Sequence, residues 1–186
     1  MSRIGVRPPG VIGDQHALAV GESTITRKGL ASAQTMGATG RLTLTFFTPQ
    51  KTETVSQFRF ISGGTAAGAT PTLVRMGIYS VAPNGDGALI ASIPNDTTLF
   101  SAPSTRYTRS FTAPFQKRAG QRYAAGFLVV TAATMPTVYG DSGFSAENAE
   151  PPRLTGYLPA QTDLPASFTD ASLTAHNVLT YVVLLP

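Results

Sequence analysis

The sequence predicts an all-β protein: an antiparallel, jelly-roll-like β-sandwich with an extended N-terminal arm. Three observations carry that expectation. Residues 73–94, LVRMGIYSVAPNGDGALIASIP, place two β-prone runs around Pro83-Asn84-Gly85-Asp86-Gly87, a cluster in which Asn-Gly and Asp-Gly tolerate positive φ and reverse the chain. Apolar runs with a period of two recur at short intervals along the chain, separated by Gly, Pro and Asn. No segment longer than about ten residues has a 3.6-residue period, so little or no helix is expected.

In chain order, residues 1–37 are punctuated by Gly5, Pro8, Pro9, Gly10, Gly13, Gly21, Gly29 and Gly37 and sustain no apolar periodicity. They read as a loose terminus or as an arm that orders against a partner, with 17–20 and 23–26 as short pieces able to add at a sheet edge. The sandwich is expected over 38–186. Residues 41–48 alternate, with Leu42, Leu44 and Phe46 opposite Arg41, Thr43 and Thr45; residues 53–62 follow with Phe58 and Phe60 inward. Residues 63–68 are a glycine-rich loop. In the hairpin, Val74, Met76 and Ile78 share the apolar face, while Arg75, Gly77 and Tyr79 share the other. Residues 107–111 form a further strand. Residues 121–131 are apolar on both faces from Ala124 onward, which marks a strand covered on both sides or one whose outer face meets a partner. Residues 137–140 are a short edge candidate, 153–158 the one strand expected within 141–171, and 177–185 an apolar terminal strand. An exposed edge that apolar would aggregate, so the terminal strand belongs inside a sheet, and reaching it requires a crossover of the jelly-roll kind.

Composition narrows the chemistry. Charged residues make up 13% of the chain, against about a quarter in an average protein, and Thr, Ser, Ala, Gly and Pro fill the difference. Without cysteine there is neither disulfide nor thiolate chemistry, and two histidines, His16 and His176, are too few for a multi-histidine metal site in one chain. No cofactor and no metal is expected. The start, MSRIGVRPPG, has no apolar signal region, and the longest apolar runs are far too short to cross a bilayer; the expectation is assembly in a cytoplasm without membrane insertion. Charge is uneven: residues 1–140 hold 13 Lys and Arg against 5 Asp and Glu, whereas 141–186 hold Arg153 alone against five carboxylates. The basic stretch between Asp96 and Asp141 reads first as a face that docks on an acidic neighbour, with a nucleic-acid or anionic-glycan patch as the alternative; the nearby aromatics form no recognised nucleic-acid-binding motif.

Several motifs fall away. Gly140-Asp141-Ser142-Gly143 and Thr174-Ala175-His176 imitate the serine and histidine motifs of chymotrypsin-like proteases, but in the wrong order, and Phe144-Ser145 follow where Gly-Pro belongs; a turn is the expected structure at 140–143. Residues 63–70 lack the lysine of a phosphate-binding loop. Asn84 to Gly87 and Asn95-Asp96 carry calcium-type oxygens, yet turns use the same residues. Glu147 and Glu150 share a loop, and nothing brings them together as a glycosidase pair. Arg75 and Tyr79, flanking Gly77 on one face, leave room for a ligand over the glycine.

At Arg75-Met76-Gly77-Ile78-Tyr79, Leu89-Ile90-Ala91 and Ala119-Gly120-Gln121-Arg122-Tyr123-Ala124-Ala125-Gly126, the sequence resembles a β-sandwich module of tailed-bacteriophage virion proteins, especially minor tail and tail-tip proteins of actinobacterial phages, itself similar to carbohydrate-binding-module-like jelly rolls. The resemblance covers residues 41–140. It implies a non-enzymatic virion component whose partners are other copies of itself, as a trimer or ring, other virion proteins and a host cell-surface glycan. A capsid decoration or head-fibre protein and a stand-alone carbohydrate-binding module are the alternatives. The candidate contact residues are Arg75, Tyr79, Arg122 and Tyr123.

Overall fold

The structure is a computed structural model, and residues 21–27, 30, 32–142 and 151–186 are described. Their strands are β1 Glu22–Ser23, β2 Ser32–Thr35, β3 Arg41–Phe47, β4 Glu53–Ile61, β5 Leu73–Val81, β6 Gly87–Ser92, β7 Arg106–Lys117, β8 Tyr123–Val130, β9 Thr137–Ser142, β10 Thr155–Leu158, β11 Ser167–Phe168, β12 Thr174–Ala175, β13 Val178–Thr180 and β14 Val182–Leu185. One short 3₁₀ turn, Asp170–Ser172, interrupts them. The fold is an all-β antiparallel sandwich.

One layer is a seven-stranded sheet in the order β11-β6-β5-β8-β3-β10-β12. The second combines β1-β14-β4-β7 with β13-β9-β2. These two sheets join where Tyr181, between β13 and β14, donates its N–H to Tyr139 O at 3.0 Å, and where Ser62 bridges Val138. The terminal strand therefore lies inside the layer, with β14 between β1 and β4. Strand β8 is central, pairing β3 and β5 along its length.

Between the layers, Val74, Met76, Ile78, Phe127 and Val129 meet Phe58, Phe60, Phe111, Val182 and Leu184. Phe60 and Phe127 pack edge to face with centroids 5.3 Å apart, and Phe58 and Phe127 do so at 5.4 Å. The face of β3 turned to this interior carries Thr43 and Thr45, both fully buried. Their hydroxyls are satisfied: Thr43 Oγ1 donates to Met36 O at 3.1 Å, and Thr45 and Thr180 hydroxyls lie 2.8 Å apart.

Leu42, Leu44 and Phe46 face the other way. That outer face is a second core, closed by residues 159–173, which leave β10, cross to the far edge as β11 on β6, and return to form the other edge as β12 on β10. Leu164, Phe168 and Leu173 of this strap pack on Leu42, Leu44, Phe46, Tyr79, Val81 and Leu128. Only the 3₁₀ turn and its flanks separate β11 from β12, so the sheet curls until its two edges approach.

The expected arm boundary at residue 37 does not coincide with the start of the body. Strand β1 pairs with β14, β2 pairs with β9, and Ile25 and Leu30 cover Tyr181, Val183 and Leu185 on the outside. Glu22 is held ionically: Lys117 Nζ, whose side chain is fully buried, contacts Glu22 Oε2 and lies 2.8 Å from Glu53 Oε1. Residues 1–20, with the expected 17–20 piece and Pro8-Pro9, lie outside the described residues, as do Gly143, Glu147 and Glu150.

Candidate functional site

The turn of the β5–β6 hairpin builds one wall of the site. Gly85 adopts φ 91°, a left-handed conformation that glycine enters without strain. Ala82 N–H donates to Asp86 O at 2.8 Å and Gly85 N–H to Ala82 O at 2.9 Å, closing the reversal. Asn84 Oδ1 accepts from Asp86 N at 3.2 Å and its Nδ2 donates to Asp86 Oδ2 at 2.8 Å. The other Asp86 oxygen accepts from Asp170 N at 2.9 Å, which pins the end of the strap to the turn.

Two arginines converge beside this wall. Arg153 Nε lies 3.1 Å from Asp170 Oδ1 and its Nη2 3.4 Å from Oδ2, a fork on one carboxylate. Arg122, immediately before β8, stacks its guanidinium 4.7 Å above the Phe46 ring and donates from Nη2 to Arg153 O. Burial, together with the neighbouring Arg153 charge, lowers the Arg122 pKa, and Asp170 acts in the opposite direction. With Pro83, Pro151 and Pro152, these residues line a cavity of about 320 Å³. The side chain of Asp170 is 41% exposed, so its carboxylate keeps accepting capacity toward the cavity side after pairing with Arg153.

The four residues singled out from the sequence have different fates. Arg75, Tyr79 and Arg122 do share one face of the seven-stranded sheet, as the period of two requires. That face is not a free surface. Tyr79 is wholly buried, donates its hydroxyl to Pro165 O at 3.2 Å and packs on Phe168 at 5.3 Å. Burial first, then Asp163, raises its pKa far above the usual phenol range. The space over Gly77 is filled, since a Cβ there would lie 2.8 Å from Leu89 Cδ1 and 3.0 Å from Leu164 Cδ1. Arg75 is spent on an ion pair with Asp163 at 3.2 Å. Tyr123 points into the core between the layers, stacked on Phe47 at 5.9 Å, and its hydroxyl accepts from Arg118 N at 3.0 Å. Of the four, Arg122 lines the cavity beside the hairpin turn. The strap is the physical reason: the glycine serves a covering segment of the same chain.

Arg153, Asp170 and the proline pair escaped sequence reasoning. The available signal was Arg153 standing as the one cation among the last 46 residues, opposite five carboxylates. The protease-like motifs separate into structural roles. Residues 140–142 are not a turn but part of β9, where Ser142 pairs with Val178 and Asp141 Oδ1 accepts Ser142 N at 2.8 Å. His176 follows β12 and packs edge-on to Tyr157, whose ring carries the Arg41 guanidinium at 4.0 Å; burial and then Arg41 lower its pKa. Among the described residues no three His, Asp or Glu gather as a metal site. A second cavity, of about 310 Å³, has Asp96 and Arg109 in its wall, already paired with each other. Among the described residues no helix is long and apolar enough to cross a membrane. No protein-family model matches the chain, and no curated protein matches it.

Proposed function

We propose that the chain is a non-enzymatic structural component of a bacteriophage particle, of the minor tail or tail-tip type, which assembles with copies of itself and other virion proteins and presents its loop end to the host surface. The observation that carries the reading is where the carboxylates go. Each of those within the described residues is engaged in holding the fold: Glu22 and Glu53 on Lys117, Asp96 on Arg109, Asp163 on Arg75, Asp170 on Arg153, Asp86 on Asn84 and the Asp170 N–H, and Asp141 on the Ser142 N–H. Acid–base chemistry needs titratable groups aimed at a substrate; here they act as ties between segments distant in sequence. A module tied in this way, low in charge and with the outer face of its seven-stranded sheet covered by its own strap, suits a building block. The resemblance over residues 41–140 supports the same reading.

Electron microscopy of purified particles decorated with an antibody raised against the chain tests it. Label at the distal end of the tail is expected. Label over the head would replace the reading with capsid decoration, and unlabelled particles carrying no trace of the chain would remove both.

A further inference from the structure

We infer that the cavity between the 83–87 turn and the strap end is a binding site for an acidic saccharide unit, a sugar ring bearing one carboxylate. Three features of the cavity specify this chemistry. Arg122 and Arg153 both line it, and a planar guanidinium is the side chain best suited to hold a carboxylate through paired N–H donors. Arg153 already gives Nε and Nη2 to Asp170 and Arg122 gives Nη2 to a backbone carbonyl, which fixes both groups in place before a ligand arrives. The exposed Asp170 carboxylate is the second feature. It repels a plain acid such as a glutamate side chain but accepts hydrogen bonds from hydroxyls, so the ligand it tolerates carries hydroxyls beside its charge. Third, Pro83, Pro151 and Pro152 supply apolar walls against which the C–H face of a ring packs. A volume of about 320 Å³ sits at the lower end of ligand pockets, which span about 300–1,000 Å³, and fits a single ring. The site stands on its own chemistry and does not depend on the chain belonging to a particle.

The test is a titration of the ¹⁵N-labelled full chain, following the arginine Nε–Hε signals, with glucuronate, glucose, acetate and glutamate in turn. Glucuronate is expected to shift the Arg122 and Arg153 signals saturably in the millimolar range, with each of the other three at least about tenfold weaker. Arg122→Gln is expected to abolish the shift while leaving the rest of the spectrum folded. Should that variant not fold, Arg122→Lys keeps the charge and loses the planar fork, and weaker binding by about tenfold is expected. No saturable shift with glucuronate, acetate or glutamate binding as well as glucuronate, or unchanged binding by the arginine variant would each overturn the inference. Glucuronate binding by a chain absent from particles would sink the proposed function and leave this site standing; the reverse outcome would do the opposite.

Discussion

Lys117 shows how a single residue ties the N-terminal segment to the body. Its side chain is 0% exposed, yet it ends the longest strand facing two carboxylates, Glu22 from β1 and Glu53 from β4. Removing one partner of a buried ion pair leaves an uncompensated charge and costs about 3–5 kcal/mol, whereas replacing the whole group by apolar or neutral side chains is far less harmful. Lys117→Met should therefore lower stability by about that amount in urea unfolding, with an unchanged m-value. Adding Glu22→Gln to it should recover more than adding Glu53→Gln, because Glu22 is the more buried carboxylate. None of this was visible in the sequence, where Glu22 lies in a stretch without periodicity. An ion pair across 95 residues has no local signature. His176 makes a second prediction at this scale. Its folded pKa lies below the ordinary value of 6.5, so the unfolded chain binds its proton first. The stability it protects is complete above 6.5 and is lost as pH falls through the folded pKa. Thermal unfolding scans should show a slope just below that pH which His176→Gln flattens.

Among the elements, the hairpin, β3, β4 and the central β8 were legible because alternation and turn chemistry are local. Strand β7 was not fully legible. Its expected end at residue 111 gave way to Lys117, because a bulge at 111–114, between the Gln57–Ser110 and Val55–Phe115 pairs, lets the chain pass Pro114 without a ladder hydrogen bond there. The strap was invisible for a different reason. Residues 159–173 have the Pro, Ser and Ala content of a loop, and their order comes from apolar anchors spaced irregularly. Gly87 marks the docking point, since a Cβ there would meet the Phe168 ring 2.2 Å away. Phe168 packs edge-on to Phe46 at 6.3 Å and obliquely on Tyr79. Phe168→Ala should cost about 3–5 kcal/mol of stability and open residues 159–173 to limited proteolysis before the rest of the chain is cut. Cleavage confined to other segments would mean that the strap is held elsewhere. The same strap moves the candidate site: it covers the face that Arg75, Gly77 and Tyr79 share and leaves the Arg122 end lining a cavity.

At the scale of the molecule, the seven-stranded sheet buries a second face under residues 159–173, and in the other layer Ile25 and Leu30 cover the outer side of β14 while the outer side of β7 stays open. Strand β8, apolar on both faces, is thereby covered without a partner subunit. The contacts proposed with other copies or other virion proteins then fall to strand edges, loop ends and the open side of β7; on β6 the bulge at Ile90 leaves an exposed apolar side chain. The proposal that the chain is a structural part of a phage particle is tested by quantitative mass spectrometry of particles purified through a density gradient from a lysate of the infected host. The chain is expected at a fixed, low ratio to the major capsid protein, unchanged by a further round of purification. A ratio that falls toward zero with purification, while the chain stays abundant in the soluble lysate, would contradict the claim.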